Sequence, residues 1–445
     1  MTEASRGTVD LLKIAVPMVV SRAGLATMGI ADAVMVGHFN PSQFAFLSLA
    51  DGTLGRVLDL CAAFLLGGLI LVPRAFGAGD LEGCRRAWRR TLTPSLLLGL
   101  FGLGLGFAAG PLLRLLGQPP ALAAHAAPVA AVLGAGFAAA LLGICAAVYL
   151  EGIQRPVVVA VAVVSGNVLN IFCNWLLIGG HLGLPALGAV GSALSTTAVR
   201  VMLALLLVGY AWSVPAVSGA QASGAAAPSD DQDSRQQWRL GSSAFLIQGT
   251  MLGLVVCLTL FAGRLGPLEL AAFGSVWVLN APVALIALGL ADATGIQVAK
   301  ADGSRVPGAP RQTGRNGLRI TLLLQLPLLA LWLLLPRSLA GLITQDPAFQ
   351  TRLAALIPLA GCVMAADGLS FVAVAAIRAL RDITWSSIIE VGTMALMVAL
   401  AAYLAFGAGL GVRGLILAAA LTAALRCLLL IGRFGNLTRP ALASR

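Results

Sequence analysis

Charge is scarce in this chain. Asp, Glu, Lys and Arg together make up 11% of its 445 residues, against about 25% in soluble domains, and that supply is too thin to keep a surface of ordinary size in water. Lysine is nearly missing, with only Lys13 and Lys300. Histidine occurs three times, as His38, His125 and His181, and none stands at a fixed motif spacing from an acid; this speaks against an intramembrane metalloenzyme or acyltransferase. The seven cysteines form no C-x-x-C pair and are scattered from Cys61 to Cys427, so they read as small apolar residues rather than as a metal or redox motif. No segments of about ten residues alternate apolar and polar, as the strands of a membrane barrel do. The glycines of "FGAGD" (76–80) follow no strand and lack the lysine of a phosphate-binding loop, so no nucleotide is implied.

What is abundant is apolar sequence. Hydrophobic residues make up 59% of the chain, with a mean hydropathy of +0.93. Twelve apolar spans can be drawn: 11–38, 44–72, 89–116, 125–150, 157–179, 187–212, 241–262, 269–298, 317–342, 350–377, 384–406 and 412–434. Each is long enough, as a helix, to cross roughly 30 Å of hydrocarbon. The expectation is an all-α integral membrane protein. The first span is too long for a signal-peptide core and no small-residue cleavage site follows it, so it is expected to be a permanent helix.

Basic residues then orient the helices. With the N-terminus inside, 21 of the 29 Lys and Arg residues collect on the inner side, including Arg85, Arg86, Arg89, Arg90, Arg311, Arg315, Arg319 and Arg426, and five on the outer. Both termini are expected in the cytoplasm, with the chain in a bacterial inner (plasma) membrane. The net charge of +11, which in a soluble chain would suggest nucleic acid, reads here as topology and attraction to anionic lipid headgroups. Membrane lipids are expected partners and nucleic acid is not.

Weak internal matches recur at one offset. "GHFNPSQFAF" (37–46) resembles "GRLGPLELAA" (263–272), and "LGAVG" (187–191) resembles "LGVRG" (410–414), at offsets of 226 and 223 residues. Because each half holds an even number of spans, the halves share one orientation, as in parallel transporter repeats. The expected organisation is an N-terminal six-helix lobe over 1–212, a cytoplasmic linker over 213–238 rich in Ser, Ala, Gly and acids, and a C-terminal six-helix lobe over 239–445. The span pattern suggests a monomer with a pathway between the lobes.

Ionisable residues inside spans carry the functional signal, because each costs on the order of 3 kcal/mol at mid-helix by insertion scales. Asp32, Asp51 and Asn174 lie about five to seven residues from the outer ends of spans 1, 2 and 5, and so at nearly one depth. Asn170 shares the face of Asn174 by its i,i+4 spacing. Together they suggest a polar pocket for a proton or sodium ion. Arg56 and Asp59, at i,i+3, read as a mutually neutralising pair. Asp367, near the middle of span 10, has no basic residue within one turn in sequence and is a second candidate proton carrier. Asp292 and Glu390 fall close to the inner face.

At these residues the chain resembles the multidrug and toxic compound extrusion (MATE) transporters. The resemblance rests on "IAVPMVVSRAGLATMGIADAVMVGHF" in span 1, "LVPRAFGAGDLEGCRRA" after span 2, "LEGIQRP" between spans 4 and 5, and "NIFCNWLLIGG" in span 5. "GRLGPLELAAF" after span 7 and "ADGLSFVAVAAIRALRDITW" in span 10 complete it. It implies export of cationic or amphipathic small molecules driven by inward H+ or Na+ movement, with no other cofactor and no enzymatic activity. Asp32, Asn170 and Asp367 match the family's span 1 acid, span 5 asparagine and span 10 acid. Asn174 stands where one branch has an aspartate, and "FLIQGTMLG" in span 7 lacks the glutamate of the sodium-coupled bacterial branch, with Gln248 the nearest polar substitute.

The resemblance therefore leans toward the proton-coupled, DNA-damage-inducible-type branch. Asp32, Asp51, Asn170, Asn174 and Asp367 are the expected coupling residues; Met28, Gln248, Trp277 and Asp292 are expected along the substrate cavity. Two other carriers compete. "GAGDLEGCRR" (77–86) comes close to a major facilitator loop signal, and a lipid or glycan flippase would share a 6+6 arrangement but favour an arginine-lined cavity.

Overall fold

The structure, a computed structural model, describes residues 3–69, 71–115, 118–214, 230–304, 306, 308–343 and 346–439. Helices dominate because a chain this apolar must satisfy its backbone hydrogen bonds within each segment. In order they are α1 (Glu3–Phe39), α2 (Pro41–Leu69), α3 (Leu71–Gly77), α4 (Leu81–Phe107), α5 (Ala109–Leu115), α6 (Pro120–Ala135), α7 (Phe137–Gly152), α8 (Pro156–Ile178) and α9 (Gly188–Ser213). The second half continues with α10 (Asp230–Arg264), α11 (Pro267–Gly303), α12 (Ala309–Leu334), α13 (Pro336–Gly341), α14 (Pro347–Ala354), α15 (Ile357–Ala379), α16 (Ile383–Ala402) and α17 (Gly411–Leu437).

Eleven helices among the described residues are long and apolar enough to cross a membrane, and the pair α6–α7, bent by 42° at its break, makes a twelfth if taken as one span. That pair is the expected span 125–150. Helix α8 shows how such a helix is built. Val157, Val161, Val164, Val168, Phe172 and Trp175 form an exposed apolar stripe at helical spacing, while the opposite face buries Asn170 and Asn174 completely. In water this face would be an unexplained hydrophobic patch; in a bilayer it is the lipid surface, and the polar residues turn inward.

The chain groups into two units, Val20–Phe245 and Met1–Val19 with Leu246–Arg445. Both dividing points fall inside helices, within α1 and α10. In α1, Ile14, Ala15 and Met18 are buried in a cluster with Leu290, Ala293, Ile320 and Val372, which places this stretch in the C-terminal unit. In α10, the Trp238 ring meets Phe64 edge-on at 5.2 Å and the Gln237 amide donates to the Ala87 carbonyl at 3.1 Å, which ties the first turns to the N-terminal unit. These contacts also change the picture of the linker. Of the stretch 213–238, residues 215–229 lie outside the described residues, whereas 230–238 are helical and open α10.

The N-terminal unit is packed around Trp88, Phe137, Leu141 and Leu150, all at most 1% exposed. Close approach of α4 to α6 and α7 requires glycine. A Cβ on Gly102 would lie 2.2 Å from the Phe137 ring, and one on Gly106 would lie 2.7 Å from the Ala130 carbonyl oxygen. Small residues at such crossings let helices approach in a medium where no hydrophobic effect drives them together. The C-terminal unit has its own core around Trp332, Leu353, Ile357, Leu415 and Ile416.

Candidate functional site

Three helices of the N-terminal unit converge on Asp32. Helix α1 carries the carboxylate, α8 presents Asn170 and Asn174 from one face, and α9 presents Ser195 and Thr196. The Asn170 and Asn174 amides both donate to Asp32 Oδ1, at 3.1 and 2.6 Å, and the Thr196 hydroxyl donates to Oδ2 at 2.7 Å. A second tier holds the amides in place. Asn174 donates to Asn170 Oδ1 at 3.2 Å, and the Ser195 hydroxyl donates to the Asn170 backbone carbonyl at 3.0 Å. Asp32 is 8% exposed and both asparagines are fully buried, so three protein donors replace the water that an ionised carboxylate needs. Asn174 Oδ1 is buried and accepts no hydrogen bond among the described residues.

Asp32 and Thr196 also line a cavity of about 430 Å³ within this unit, together with Met28, Asp51, Glu151 and Arg200. The volume suits a small organic molecule. Its walls are mostly apolar, from residues such as Leu25, Leu133, Val163 and Leu203, and its charged lining comprises the carboxylates of Asp32, Asp51, Asp59 and Glu151 and the guanidiniums of Arg22 and Arg200. Arg200 lies within electrostatic reach of Asp32, Asp51 and Asp59. Arg56 and Asp59 pair at 3.3 Å, as their spacing suggests. Arg22 stands 3.9 Å from the buried carboxylate of Glu151.

The structure thus brings Asp32, Asn170 and Asn174 into direct contact, and places Asp51 and Met28 on the same cavity. The remaining expected residues belong to the C-terminal unit. Asp367, which has no basic residue within one turn in sequence, gains one from another helix: it is ion-paired with the Arg426 guanidinium from α17. Its partner lies 59 residues away in sequence, beyond any reading of local spacing. The same pairing moves Arg426 from the inner-side charges to the interior of its unit, where it is 8% exposed. Glu390 is likewise paired, with Arg378. Asp292 is half-buried on α11, Gln248 is exposed on α10, and Trp277 meets Phe273 edge-on at 5.9 Å.

Sequence reasoning gave no role to Ser195, Thr196 or Arg200. A signal was present. In "GSALSTTAVR", Ser192, Thr196 and Arg200 follow one another at i,i+4, one polar face on an otherwise apolar helix.

The model of the MatE family matches residues 17–176 and 244–404. The chain belongs to the MATE family. The two matched blocks fall one in each half, at an offset close to that of the internal sequence matches. Among curated relatives, a probable multidrug resistance protein NorM of Caulobacter vibrioides is 29% identical over 433 residues, covering 96% of this chain and 91% of the relative. The multidrug resistance protein PmpM of Pseudomonas aeruginosa is 27% identical, covering 84% of this chain and 78% of the relative. In fold, the chain is similar to the outward-facing structure of a multidrug resistance MATE family transporter, with a TM-score of 0.85 at 20% identity over 99% of this chain and all of the other. MATE membership makes the chain an integral membrane transporter and not an enzyme.

Proposed function

We propose that this MATE transporter is an antiporter that exports cationic or amphipathic organic compounds in exchange for inward H+, with Asp32 as the proton carrier and the neighbouring cavity as the place where proton and substrate compete. The observation that carries the reading is the donor shell of Asp32. Two amides and a hydroxyl support the ionised form, and of these the hydroxyl can turn to accept a hydrogen bond once the carboxyl carries a proton. Protonation removes the charge that a cationic substrate in the cavity is drawn to. It also makes burial of the residue cheaper, so α1 can repack and carry the cycle between its two openings. The protein works as a monomer in the inner membrane with both termini in the cytoplasm, as the arginine bias implies.

A second reading, coupling to Na+, draws on the orphaned Asn174 Oδ1. Turning that amide over would give Asp32, Asn174 and Thr196 as oxygen ligands for a hard cation.

Proteoliposomes with separately imposed H+ and Na+ gradients distinguish the two readings, with wild type compared to Asp32→Asn. Export driven by the pH gradient alone, and lost in Asp32→Asn, is the expected result. Drive by Na+ alone would replace the proton assignment, and undiminished coupled export by Asp32→Asn would remove that residue from the mechanism.

A further inference from the structure

Helix α12 opens with three arginines on one face. Arg311, Arg315 and Arg319 follow one another at i, i+4 and i+8, and with Gly308, Gln312 and Asn316 they line a pocket of about 290 Å³. None of the three makes an ion pair among the described residues. Asn316 lines the same pocket, is only 9% exposed, and has no hydrogen-bond partner among the described residues. Its amide is open to the pocket and stands beside three cations that share the need for an anionic acceptor. The pocket also faces the start of the helix, whose N-cap Gly308 has φ +78°; the positive end of the helix dipole adds to the attraction for an anion.

We propose that this pocket binds the phosphate headgroup of an anionic phospholipid. The chemistry of the ligand follows from the donors. Guanidiniums grip phosphate oxygens through two parallel hydrogen bonds, and Asn316 Nδ2 supplies one more. The three arginines spread over about 12 Å of helix, a span that a headgroup with two phosphates fills better than one phosphate does. The choice of a lipid over a free phosphate comes from the rest of the same face. Further along this face, Leu323, four residues beyond Arg319, is 68% exposed, and Leu326, three residues further, is 49% exposed, so an acyl surface begins one turn beyond Arg319. Charged head and apolar tail thus meet one helical face in the order a lipid leaflet presents them. The arginine bias assigns this end to the cytoplasmic leaflet, where anionic lipids attract basic clusters. A topological charge bias alone requires arginines somewhere near the span; it does not require them in one register around a pocket-lining amide.

The test is native mass spectrometry of the full-length protein in detergent, titrated with diphosphatidylglycerol, phosphatidylglycerol and phosphatidylcholine. The wild type is expected to retain the anionic lipids and not phosphatidylcholine. The triple variant R311Q/R315Q/R319Q should weaken that retention about tenfold or more, and Asn316→Ala, which leaves the charge untouched, by a few-fold. A control with the same loss of charge, R85Q/R86Q/R90Q, should retain lipid as the wild type does. Equal weakening in the control would reduce the effect to net charge and overturn the proposal. So would unchanged retention in the pocket variants, or displacement of the lipid by inorganic phosphate at matching concentration.

Discussion

Thr196 Oγ1 lies 2.7 Å from Asp32 Oδ2 and, among the described residues, is the partner of that carboxylate that can reverse its hydrogen bond by rotating a hydroxyl. The two asparagines donate through Nδ2 and must turn over by half a rotation before they can accept. If Asp32 takes up a proton during transport, Thr196 is the group that follows it. Thr196→Val keeps the shape and removes the hydroxyl, leaving Oδ2 without its donor; hydrogen bonds to charged groups contribute about 1.5–3 kcal/mol. The expected result is a drop of about tenfold or more in pH-driven export at equal protein levels. Thr196→Ser, which restores the hydroxyl, should stay within a few-fold of wild type. Both are read as initial rates in proteoliposomes.

The pair of Asp367 and Arg426 leads to a different expectation. Breaking a buried ion pair by removing one partner strands the other charge at a cost of about 3–5 kcal/mol, whereas removing both leaves no charge to strand. Asp367→Asn and Arg426→Gln should each lower the melting temperature in detergent, and the double variant should be more stable than the sum of the two losses predicts. Additive losses would show that the two side chains do not depend on each other.

Much of the N-terminal site is legible in sequence because its members announce themselves locally. Asp32 is an acid in an apolar span, and Asn170 and Asn174 share a face by spacing alone. The C-terminal candidate misleads for the complementary reason: the neutrality of Asp367 is supplied by a residue 59 positions away, and sequence distance says nothing about helices that pack side by side. Span count and helical class follow from composition, but the assignment of α1 up to Val19 to the C-terminal unit depends on packing by Ile14, Ala15 and Met18. Those residues look like any other apolar residues of a span.

Helix α4 offers an internal comparison of two glycines. A Cβ at Gly102 would meet the Phe137 ring at 2.2 Å, while one at Gly104 would meet nothing within 4 Å. Phe137 is 1% exposed and has no room to withdraw. Gly102→Ala should therefore destabilise the N-terminal unit by about 1–3 kcal/mol, the range for overpacking. Gly104→Ala should be neutral or mildly stabilising, since alanine restricts the unfolded chain at little steric cost. Thermal melts of the two purified variants check the contrast, and equal melting points would contradict the packing described for α4 and α7.

The pairing of Asp367 also bears on stoichiometry. On the proposed proton mechanism, with that carboxylate held by Arg426, Asp32 is the carboxylate left to carry a proton through the cycle, and the expected stoichiometry is one proton per turnover. Exchange of one proton for one monovalent cation moves no net charge, so the membrane potential contributes nothing and the pH difference alone sets the limit, about 1.4 kcal/mol and a tenfold substrate gradient per pH unit. A neutral or zwitterionic substrate changes this. Its exchange for a proton carries one charge inward, and each 100 mV then adds about 2.3 kcal/mol. Proteoliposomes clamped with potassium and valinomycin should therefore show export of a permanent cation that responds to pH but not to voltage, and export of a zwitterion that responds to both. Voltage-dependent export of the monovalent cation would require a second proton, and with it a second carrier besides Asp32, for which Asp51 on the same cavity wall is the first residue to replace.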